Sequence, residues 1–424
     1  MRVLIVNTSE RTGGAAVAAN RLMEALNNHG VKAMMLVQKK ETDSLTVAEL
    51  PHSPLLRWHF LWERLVIFFH LHFSRKHLFE IDIANAGTDI TRLPEFRNAD
   101  IIHLHWINQG MLSLGGIRKI LQSGKPVVWT MHDMWPATAI CHYTRGCNHY
   151  QTQCHDCPLL PNGGGPNDLA SRVWKTKKRM LKSGNVSFVA CSRWLENEAK
   201  RSALLTDHKI TSIPNTIDTR VFRPTDQAEA RTHFGLPADK QVILFVSQRV
   251  TDERKGMAYF IEAMEKLVAH QPALRDHAVV AIMGGHSEDV TSQLPLPVFP
   301  LGYISQPQDI AIAYGAADVF VLPSLEDNLP NTLMEAMACG VPCVGFKVGG
   351  IPEMIEHKKT GYLAEFRSAN DLSVGIHWVL TEADKTQLRA QCLRKVNHTY
   401  SQSSVAMKYI EAYHQALAFS NYKL

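Results

Sequence analysis

The residues whose chemistry stands out first are two cations in one loop. Arg249 and Lys255 lie in the segment SQRVTDERKG, residues 247–256, after a predicted buried strand and before a predicted helix. Two cations there can neutralise a diphosphate leaving group, on which negative charge develops as a glycosidic bond breaks. The alternative is a solvated basic loop, the usual surroundings of surface lysine and arginine. The loop is therefore a candidate phosphate site.

An acidic segment follows later in the chain, over residues 323–342. A predicted strand ends at Pro323, and a loop with Glu326 and Asp327 comes next. The helix predicted after this loop carries Glu335 near its start. Carboxylates at the mouth of a cleft suit hydrogen bonding to sugar hydroxyls, whereas the alternative is that acidic residues simply favour a helix N-terminus.

Two further features follow predicted strands in the first half. Gly13 and Gly14 open a predicted helix, where the lack of side chains lets backbone N–H groups approach a ligand. A tight turn is the alternative, and the pair is not part of a G-x-G-x-x-G motif, which argues against a dinucleotide dehydrogenase. His132 follows another predicted strand and precedes Asp133. That position favours a functional role for His132 over that of a packed core histidine.

Four cysteines lie within 17 residues, namely Cys141, Cys147, Cys154 and Cys157. Their spacing, which ends in C-x-x-C, suits a tetrahedral Zn²⁺ ion held by four thiolates, a closed and structural kind of site. His142, His149 and His155 are competing ligands, and four clustered free thiols are the alternative. The other four cysteines are expected to be buried small hydrophobes: Cys191, Cys339, Cys343 and Cys392.

Aromatic and basic side chains crowd the stretch from Leu55 to Phe79. They are Trp58, Phe60, Trp62, Phe68, Phe69, Phe73 and Phe79, with Arg57, Arg64, Arg75 and Lys76. Such a helix can lie in a membrane interface. Packing against the N-terminal sheet is the favoured interpretation, because buried helices are commoner. Membrane contact stays the alternative, because lipid-linked glycans lie at that interface.

Length and composition indicate the number of domains and the class of protein to which these residues belong. The chain has 424 residues, enough for two domains, and its 45% hydrophobic and 20% charged residues are typical of a globular protein. A net charge of +5 is too small to indicate a nucleic-acid partner and fits the handling of phosphate groups. No run approaches the roughly 20 apolar residues of a membrane span, and the start is not a signal peptide. The sequence predicts a cytosolic protein, in which cysteines stay reduced or bind metal.

Strand and helix signals alternate along the chain, which is the pattern of parallel sheets covered by helices. Predicted strands lie at Val3–Val6, Ala33–Val37, Ile101–Leu104, Val127–Met131 and Phe188–Cys191, then at Val242–Val246, Val279–Met283, Val319–Leu322 and Val341–Val344. Prolines at 214, 224 and 237 indicate a domain boundary between them. Ligands bind outside the carboxyl ends of such strands, where many of the residues above lie.

The second half resembles the retaining GT-B glycosyltransferases of the glycosyl transferases group 1 family, family four of the sequence classification. The resemblance rests on Arg249, Lys255-Gly256, the segment ADVFVLPS (317–324), the acidic pair, EAMACGVP (335–342) and Gly349-Gly350. In the first half, Gly13-Gly14, His132 and PNTID (214–218) extend it, and some bacterial polysaccharide-assembly members resemble the cysteine segment. The family signature places seven residues between two glutamates. Here seven residues separate Asp327 from Glu335, so Asp327 takes the first position.

The resemblance implies a fold and a reaction. The fold is α/β, with two Rossmann-like domains facing each other across a cleft: an acceptor-side domain over residues 1–218, a donor-binding domain over 219–403, and a helix over 404–424 that packs back on the first domain. The reaction is a retaining transfer from a nucleoside-diphosphate sugar to a glycan or lipid-linked acceptor in bacterial surface polysaccharide assembly. It uses no protein nucleophile.

The resemblance also implies residue roles. Arg249 and Lys255 stabilise the leaving diphosphate, and Asp327 acts beside them. His132 contacts the donor sugar near the reacting carbon, through its backbone carbonyl or its ring, and Glu335 holds the nucleotide ribose. The implied donor-binding set is Gly13, Gly14, Arg249, Lys255, Glu326, Asp327, Asn328, Leu329, Asn331, Thr332 and Glu335.

The resemblance also implies cofactors and partners, and two alternative functions stay open. Catalysis requires no cofactor, and structural Zn²⁺ is the one metal expected. The partners are the nucleotide sugar, the acceptor and the inner face of the membrane, with no nucleic acid. One rival is a nucleotide-sugar epimerase of the same fold, which needs acid and base carboxylates over the sugar ring. The other is a non-catalytic nucleotide-sugar-binding protein, against which the intact cations and Glu335 argue.

Overall fold

The structure, a computed structural model, describes residues 1–421 and divides into two compact units. Among the described residues, unit 1 comprises residues 1–214 and 405–421, and unit 2 comprises residues 215–404. Each unit contains its own parallel sheet, which confirms the prediction of two Rossmann-like α/β domains. The division falls after Pro214, four residues before the expected end of the first domain.

Unit 1 is a seven-stranded parallel sheet with helices on both faces. Its strands are β1 (Arg2–Val6), β2 (Lys32–Val37), β3 (Val47–Glu49), β4 (Ile101–Leu104), β5 (Val127–Met131), β6 (Val186–Ala190) and β7 (Lys209–Ser212). Its first six helices are α1 (Gly14–Asn28), α2 (Pro54–His70), α3 (Pro94–Asn98), α4 (Leu114–Gln122), α5 (Leu169–Leu181) and α6 (Arg193–Lys200).

Unit 2 is a six-stranded parallel sheet. Its strands are β8 (Gln241–Arg249), β9 (Ala278–Gly285), β10 (Val298–Gly302), β11 (Val319–Leu322), β12 (Cys343–Phe346) and β13 (Gly361–Ala364). Its helices are α7 (Gln227–His233), α8 (Met257–His270), α9 (Leu274–His277), α10 (Pro307–Gly315), α11 (Asn331–Ala338), α12 (Ile351–Met354), α13 (Ala369–His377) and α14 (Lys385–Thr399). The last helix of the chain, α15 (Gln402–Asn421), packs almost entirely in unit 1.

Hydrophobic burial explains why the strands form where they do. Every residue of β4, β5, β11 and β12 is buried, as expected for strands covered on both faces. In unit 1, one sheet face packs against α1 and against Tyr409 and Tyr413 of α15. The other face packs a larger core that includes Ile117 of α4 and Trp174 of α5. Among residues 1–421, no helix has both the length and the apolar character needed to cross a membrane.

Strand order sets where ligands can approach each sheet. The order is β3-β2-β1-β4-β5-β6-β7 in unit 1 and β10-β9-β8-β11-β12-β13 in unit 2. The direction of the order reverses between β1 and β4 and again between β8 and β11. In open parallel sheets, the crevice outside the carboxyl ends of the two strands at such a reversal is the usual ligand site. The loops after β8 and β11 are the two segments that the sequence singled out.

Two predicted strands were displaced. One was predicted at Phe188–Cys191, whereas β6 runs over Val186–Ala190. The other was predicted at Val341–Val344, whereas β12 runs over Cys343–Phe346. Pro342 has no N–H to give to the ladder, so it stands before the strand, where its carbonyl accepts a hydrogen bond from Phe320 N at 3.0 Å.

Candidate active site

The loop after β8 packs closely against the end of β11. It begins at Arg249, whose side chain is exposed, passes through a 3₁₀ turn over Glu253–Lys255 and ends at Gly256. Gly256 has φ 74°, and a Cβ atom there would lie 1.9 Å from the carbonyl oxygen of Pro323. Only glycine lets α8 begin so close to the next strand. This contact fixes the basic loop beside the acidic loop.

The two loops meet in an ion pair between Lys255 and Asp327. Lys255 Nζ donates to Asp327 Oδ2 at 2.6 Å, and Ser324 Oγ donates to the same oxygen at 3.2 Å. Arg254 Nη1 donates to the carbonyl oxygen of Glu326 at 3.0 Å. Burial alone would raise the pKa of Asp327, but the charges of Lys255 and Arg254 outweigh it and lower that pKa. The carboxylate is therefore ionised and paired.

A glycine turn after β12 fixes the backbone of Asp327. Gly349 has φ 57°, and a Cβ atom there would lie 1.7 Å from the carbonyl oxygen of Asp327. Gly350 N donates to that same oxygen at 3.2 Å. The Gly349-Gly350 pair of the sequence thus acts as a support for the acidic loop.

Helix α11 carries the second acidic residue in its middle, not near its start as predicted. Tyr314 OH donates to Glu335 Oε2 at 3.2 Å, and both side chains are buried. At the helix start, Asn215 Nδ2 donates to Asn331 Oδ1 at 3.2 Å. The hydroxyl of Tyr314 therefore helps to orient the carboxylate of Glu335.

The remaining predicted donor residues differ in accessibility. Asn328 and Leu329 are buried, whereas Glu326 and Thr332 are partly exposed. The sequence interpretation missed two residues of this site, Arg254 and Ser324. Arg254 belongs to the same basic loop, and its position next to Lys255 was a signal that could have included it.

His132 in unit 1 lies directly after β5 in a chain of histidines. Its Nε2 and His105 Nδ1 share a hydrogen bond of 2.9 Å, and its Nδ1 lies 3.6 Å from Cys191 Sγ. Burial lowers the pKa of His132 to about 4 and that of His103 to about 3. Burial also places the pKa of His105 well below its ordinary value. All three rings are neutral at pH 7.

A second histidine beside this chain is charged. His142 shares hydrogen bonds with Asp133 Oδ2 at 2.7 Å and with Asp82 Oδ2 at 2.6 Å. Burial alone would lower the pKa of His142, but the two carboxylates outweigh it and raise that pKa to about 10. Trp106 Nε1 donates to Asp133 at 3.0 Å, and Arg64 pairs with Asp82. The strand ends of unit 1 therefore carry a connected network of buried polar groups.

The glycine pair of unit 1 forms the start of α1. Gly13 is its N-cap with φ 93°, and a Cβ atom there would meet no atom within 4 Å. Gly14 is the first helical residue. The space beside Gly13 is open, in contrast to the close contact made at Gly256.

The four clustered cysteines line one cavity of about 20 Å³, here called the cysteine cavity, together with His149 and His155. All eight cysteines are free thiols, and Cys191, Cys339, Cys343 and Cys392 are buried as predicted. Across residues 1–421, no three histidine, cysteine or acidic side chains are placed so that they could hold a metal ion as they stand. His142 is not a competing ligand, because both of its ring nitrogens are bonded to carboxylates.

The aromatic stretch forms α2 and the turn after it, and only one side of it is covered. Ile67 and Leu71 are buried against the sheet core, which agrees with the favoured interpretation. The other side is open: Leu55, Trp58, Leu61, Trp62, Leu65, Phe69, Phe73 and Phe79 are exposed, Trp58 by 64%. Arg64, counted above among the basic residues of this stretch, is buried instead.

Comparison with known families divides the chain in the same way. Residues 12–221 match the family described as Glycosyltransferase Family 4, and residues 240–382 match the family described as Glycosyl transferases group 1. A D-inositol 3-phosphate glycosyltransferase of Thermobispora bispora is 28% identical over 222 residues, which are 49% of this chain and 51% of that protein. The chain thus spans about half the length of this relative.

Solved structures resemble almost the whole chain. Sucrose-phosphate synthase from Thermosynechococcus elongatus has a TM-score of 0.67 at 20% identity, covering 98% of this chain and 99% of that one. Anabaena HepE in complex with UDP-glucose has a TM-score of 0.63 at 16% identity, covering 98% and 100%. At such identities the likeness shows the fold alone, which is GT-B.

Proposed function

We infer that this chain, which belongs to the GT-B glycosyltransferases of family four, transfers a sugar from a nucleoside-diphosphate sugar to a glycan or lipid-linked acceptor with retention of configuration. The observation that carries this inference is the Lys255–Asp327 ion pair at the strand-order reversal of unit 2. Arg249 and Arg254 stand in the same loop; Arg254 pairs with Asp252 at 3.4 Å, whereas the side chain of Arg249 is exposed. An exposed cation next to a lysine that is already held in place suits a diphosphate at such a crevice.

The reaction is derived from these charges. Lys255 is already fixed by Asp327 and Gly256, so it needs little reorganisation to meet negative charge. As the bond from the sugar to the diphosphate breaks, Lys255 and Arg249 neutralise the charge that develops on the departing phosphate oxygen. The acceptor hydroxyl attacks the same face of the sugar carbon and passes its proton to that phosphate oxygen. No protein nucleophile enters this step.

Asp327 and Glu335 have different tasks in this proposal. Asp327 holds Lys255 in place and accepts a hydrogen bond from a hydroxyl of the transferred sugar. Glu335, whose carboxylate is oriented by Tyr314, accepts hydrogen bonds from the nucleotide ribose. A neutral His132 contacts the donor sugar. Its lowered pKa supports a role as a hydrogen-bonding or shape-defining group rather than as a cation.

The test of this function is a product analysis after ligand screening. Thermal shift against UDP-, GDP- and ADP-sugars identifies the donor, and NMR then follows that donor with and without a polyprenyl-linked or oligosaccharide acceptor. We expect slow hydrolysis of the donor alone and transfer with an α-linked product from an α-linked donor. An isomerised nucleotide sugar would indicate an epimerase, and binding without any turnover would indicate a binding protein. Either outcome would overturn the proposal.

We also propose that the open side of α2 lies on an anionic bilayer, which would place the enzyme at the inner membrane face in surface polysaccharide assembly. Its exposed aromatic residues lie on one helical stripe, as in Trp58, Trp62 and Phe69. The exposed charges near the stripe are basic, because Glu63, the one acid between Leu55 and Phe79, is buried. Basic residues beside an apolar stripe fit anionic lipid headgroups.

Vesicle sedimentation tests this surface. Full-length protein should bind phosphatidylglycerol vesicles and bind phosphatidylcholine vesicles more weakly. The double variant Trp58→Ala/Trp62→Ala should lose at least about tenfold in affinity, because two large apolar side chains no longer enter the interface. Tyr303→Ala, an exposed aromatic of unit 2, is the matched control and should bind as the wild type does. Equal binding of the double variant, or a change in oligomeric state instead, would refute membrane contact.

A further inference from the structure

The cysteine cavity lies in a segment with little regular structure. Between residues 138 and 168 the structure describes two 3₁₀ turns, His149–Gln151 and Pro161–Gly163, and an isolated bridge from Cys141 to Ile81. Four cysteines from this segment nevertheless face one space of about 20 Å³. A space of that size takes one water-sized particle. The cavity therefore matches a single ion in a segment that has few other means of ordering itself.

The thiols of the cavity are protonated when no metal is bound. Burial raises the pKa of Cys141 and Cys154 to about 12 and that of Cys157 to about 11. A Zn²⁺ ion would therefore have to displace these protons when it binds.

The histidines beside the cavity are already engaged in other bonds. His149 Nδ1 donates to the carbonyl oxygen of His155 at 2.7 Å, and His155 Nδ1 bonds to Asp156 at 2.5 Å. The two rings also stack, with centroids 5.1 Å apart. Both bonds use Nδ1, and a histidine held in this way can still bind a metal through Nε2. The four thiols are nevertheless the favoured ligand set, because four cysteines are a common ligand set of closed structural zinc sites.

A buried lysine next to the cavity is missing an anionic partner. Lys177 is 1% exposed, and its Nζ donates to the carbonyl oxygens of Trp135 and Thr138. Within residues 1–421, no carboxylate lies in ion-pair distance of it. Burial lowers the pKa of Lys177 to about 7, because a buried ammonium without an anion is costly. An anionic cluster at the neighbouring Cys141 and Cys154 would stabilise the charged form of Lys177.

We propose that the four thiols of the cysteine cavity bind one Zn²⁺ ion as thiolates. Four protons leave to solvent on binding, and the resulting cluster carries a net charge of −2 beside the ammonium of Lys177. Because the thiols are not yet in coordinating positions, binding must draw them together and order the segment. All four positions are filled by protein, so the ion has a structural role and activates no water. The proposal is independent of the proposed transferase function.

Elemental analysis of full-length protein purified without chelator tests the proposal. We expect one zinc per chain in the wild type, less than a tenth of that in Cys154→Ala, and one in the control Cys392→Ala, whose thiol is buried in unit 2. The zinc-free variant should be cleaved by protease between residues 141 and 158 and should melt several degrees lower. Cobalt(II) added to metal-free wild type should give the absorption of a tetrahedral thiolate site, which keeps the test valid if a variant fails to fold.

Two results would overturn the proposal. Metal-free wild type with full thermal stability and no cobalt-thiolate absorption would mean that the cysteines are plain thiols. Non-reducing mass spectrometry that found two disulfides in the native protein would mean that the cavity is a pair of cross-links.

Discussion

Two regions at equivalent places of the same fold are built in opposite ways. In unit 2, the loops after two strands carry the Lys255–Asp327 ion pair and the exposed side chain of Arg249. In unit 1, the strand ends carry imidazoles and carboxylates that are buried and bonded to one another. Parallel strands place side chains at the same edge of the sheet in both units. The units differ in whether these polar side chains remain accessible to a ligand or are buried and bonded to one another.

This difference has a physical consequence for charge. In unit 2, the charges of Lys255 and Arg254 lower the pKa of the buried Asp327 carboxyl, so that this carboxylate stays ionised. In unit 1, burial removes the charge of three imidazole rings, whereas His142 keeps its proton because Asp82 and Asp133 enclose it. Unit 2 therefore has charged side chains that a ligand can contact, whereas the polar side chains of unit 1 are held in place by one another.

The largest effect should come from removing a cation of unit 2. Lys255→Ala and Arg249→Ala should each lower kcat by roughly 100-fold or more, because each removes a charge that meets the departing diphosphate. The measurement is initial-rate kinetics with the donor found by screening. Lys266→Ala on α8, a surface lysine paired with Glu262, is the matched control and should be unchanged. Near-normal turnover of Lys255→Ala would contradict the claim that Lys255 stabilises the departing diphosphate.

Unit 1 should respond through stability. His142→Gln should lower the free energy of unfolding by about 3 kcal/mol at neutral pH, because it leaves the buried carboxylate of Asp133 without its cation and leaves Asp82 with Arg64 alone. The pKa of His142 is raised from 6.5 to about 10, so its stabilisation is complete below pH 6.5 and is lost as pH rises through about 10. The difference between wild type and variant should therefore shrink across that window.

Urea unfolding followed by tryptophan fluorescence measures this difference, because seven of the eight tryptophans precede residue 215. His414→Gln, an exposed histidine on α15, is the control and should show no pH-dependent difference. A difference for His142→Gln that is equal at both ends of the window would mean that His142 is neutral in the folded protein.

A smaller effect should separate binding from chemistry within unit 2. Glu335→Ala should raise the KM for the donor about tenfold with kcat nearly unchanged, because a ribose hydrogen bond is made equally in the ground and transition states. Tyr314→Phe should give a weaker form of the same effect, since it removes only the hydroxyl that orients the carboxylate. A fall in kcat at constant KM would instead put Glu335 in the chemical step.

The smallest effect should be that of added metal. If Lys255 and Arg249 carry the charge of the leaving group, then Mg²⁺ or Mn²⁺ added to dialysed protein should change the transfer rate less than about twofold. A strict requirement for either ion would show that cations of the protein do not suffice.

Sequence patterns predicted the elements better than the contacts. The run Val127–Met131 was predicted to the residue, because a strand covered on both faces is nearly all apolar and Thr130 is its one polar residue. The role of Gly256 could not be predicted, because it depends on the approach of Pro323, which lies 67 positions further along the chain.

The histidine network was missed for a related reason. His103 and His105 are two residues apart, and that spacing puts both on one face of a strand, which was an available signal. Their hydrogen-bond partners His132 and Tyr413 come from distant segments, as does Tyr409, whose ring contacts that of His103. The exposure of one side of α2 could not be predicted either, since an aromatic stretch is compatible with a buried helix and with a helix exposed on one side.

Calorimetric titration of a nucleoside diphosphate into the full-length protein tests the central claim, that the basic loop of unit 2 binds the donor diphosphate. UDP, GDP and ADP would be titrated in turn into wild type, Lys255→Ala and Lys266→Ala. One of them should bind the wild type and Lys266→Ala with equal affinity and bind Lys255→Ala at least about tenfold more weakly, as expected for a lost charge-assisted contact. Equal affinity for wild type and Lys255→Ala would contradict the claim.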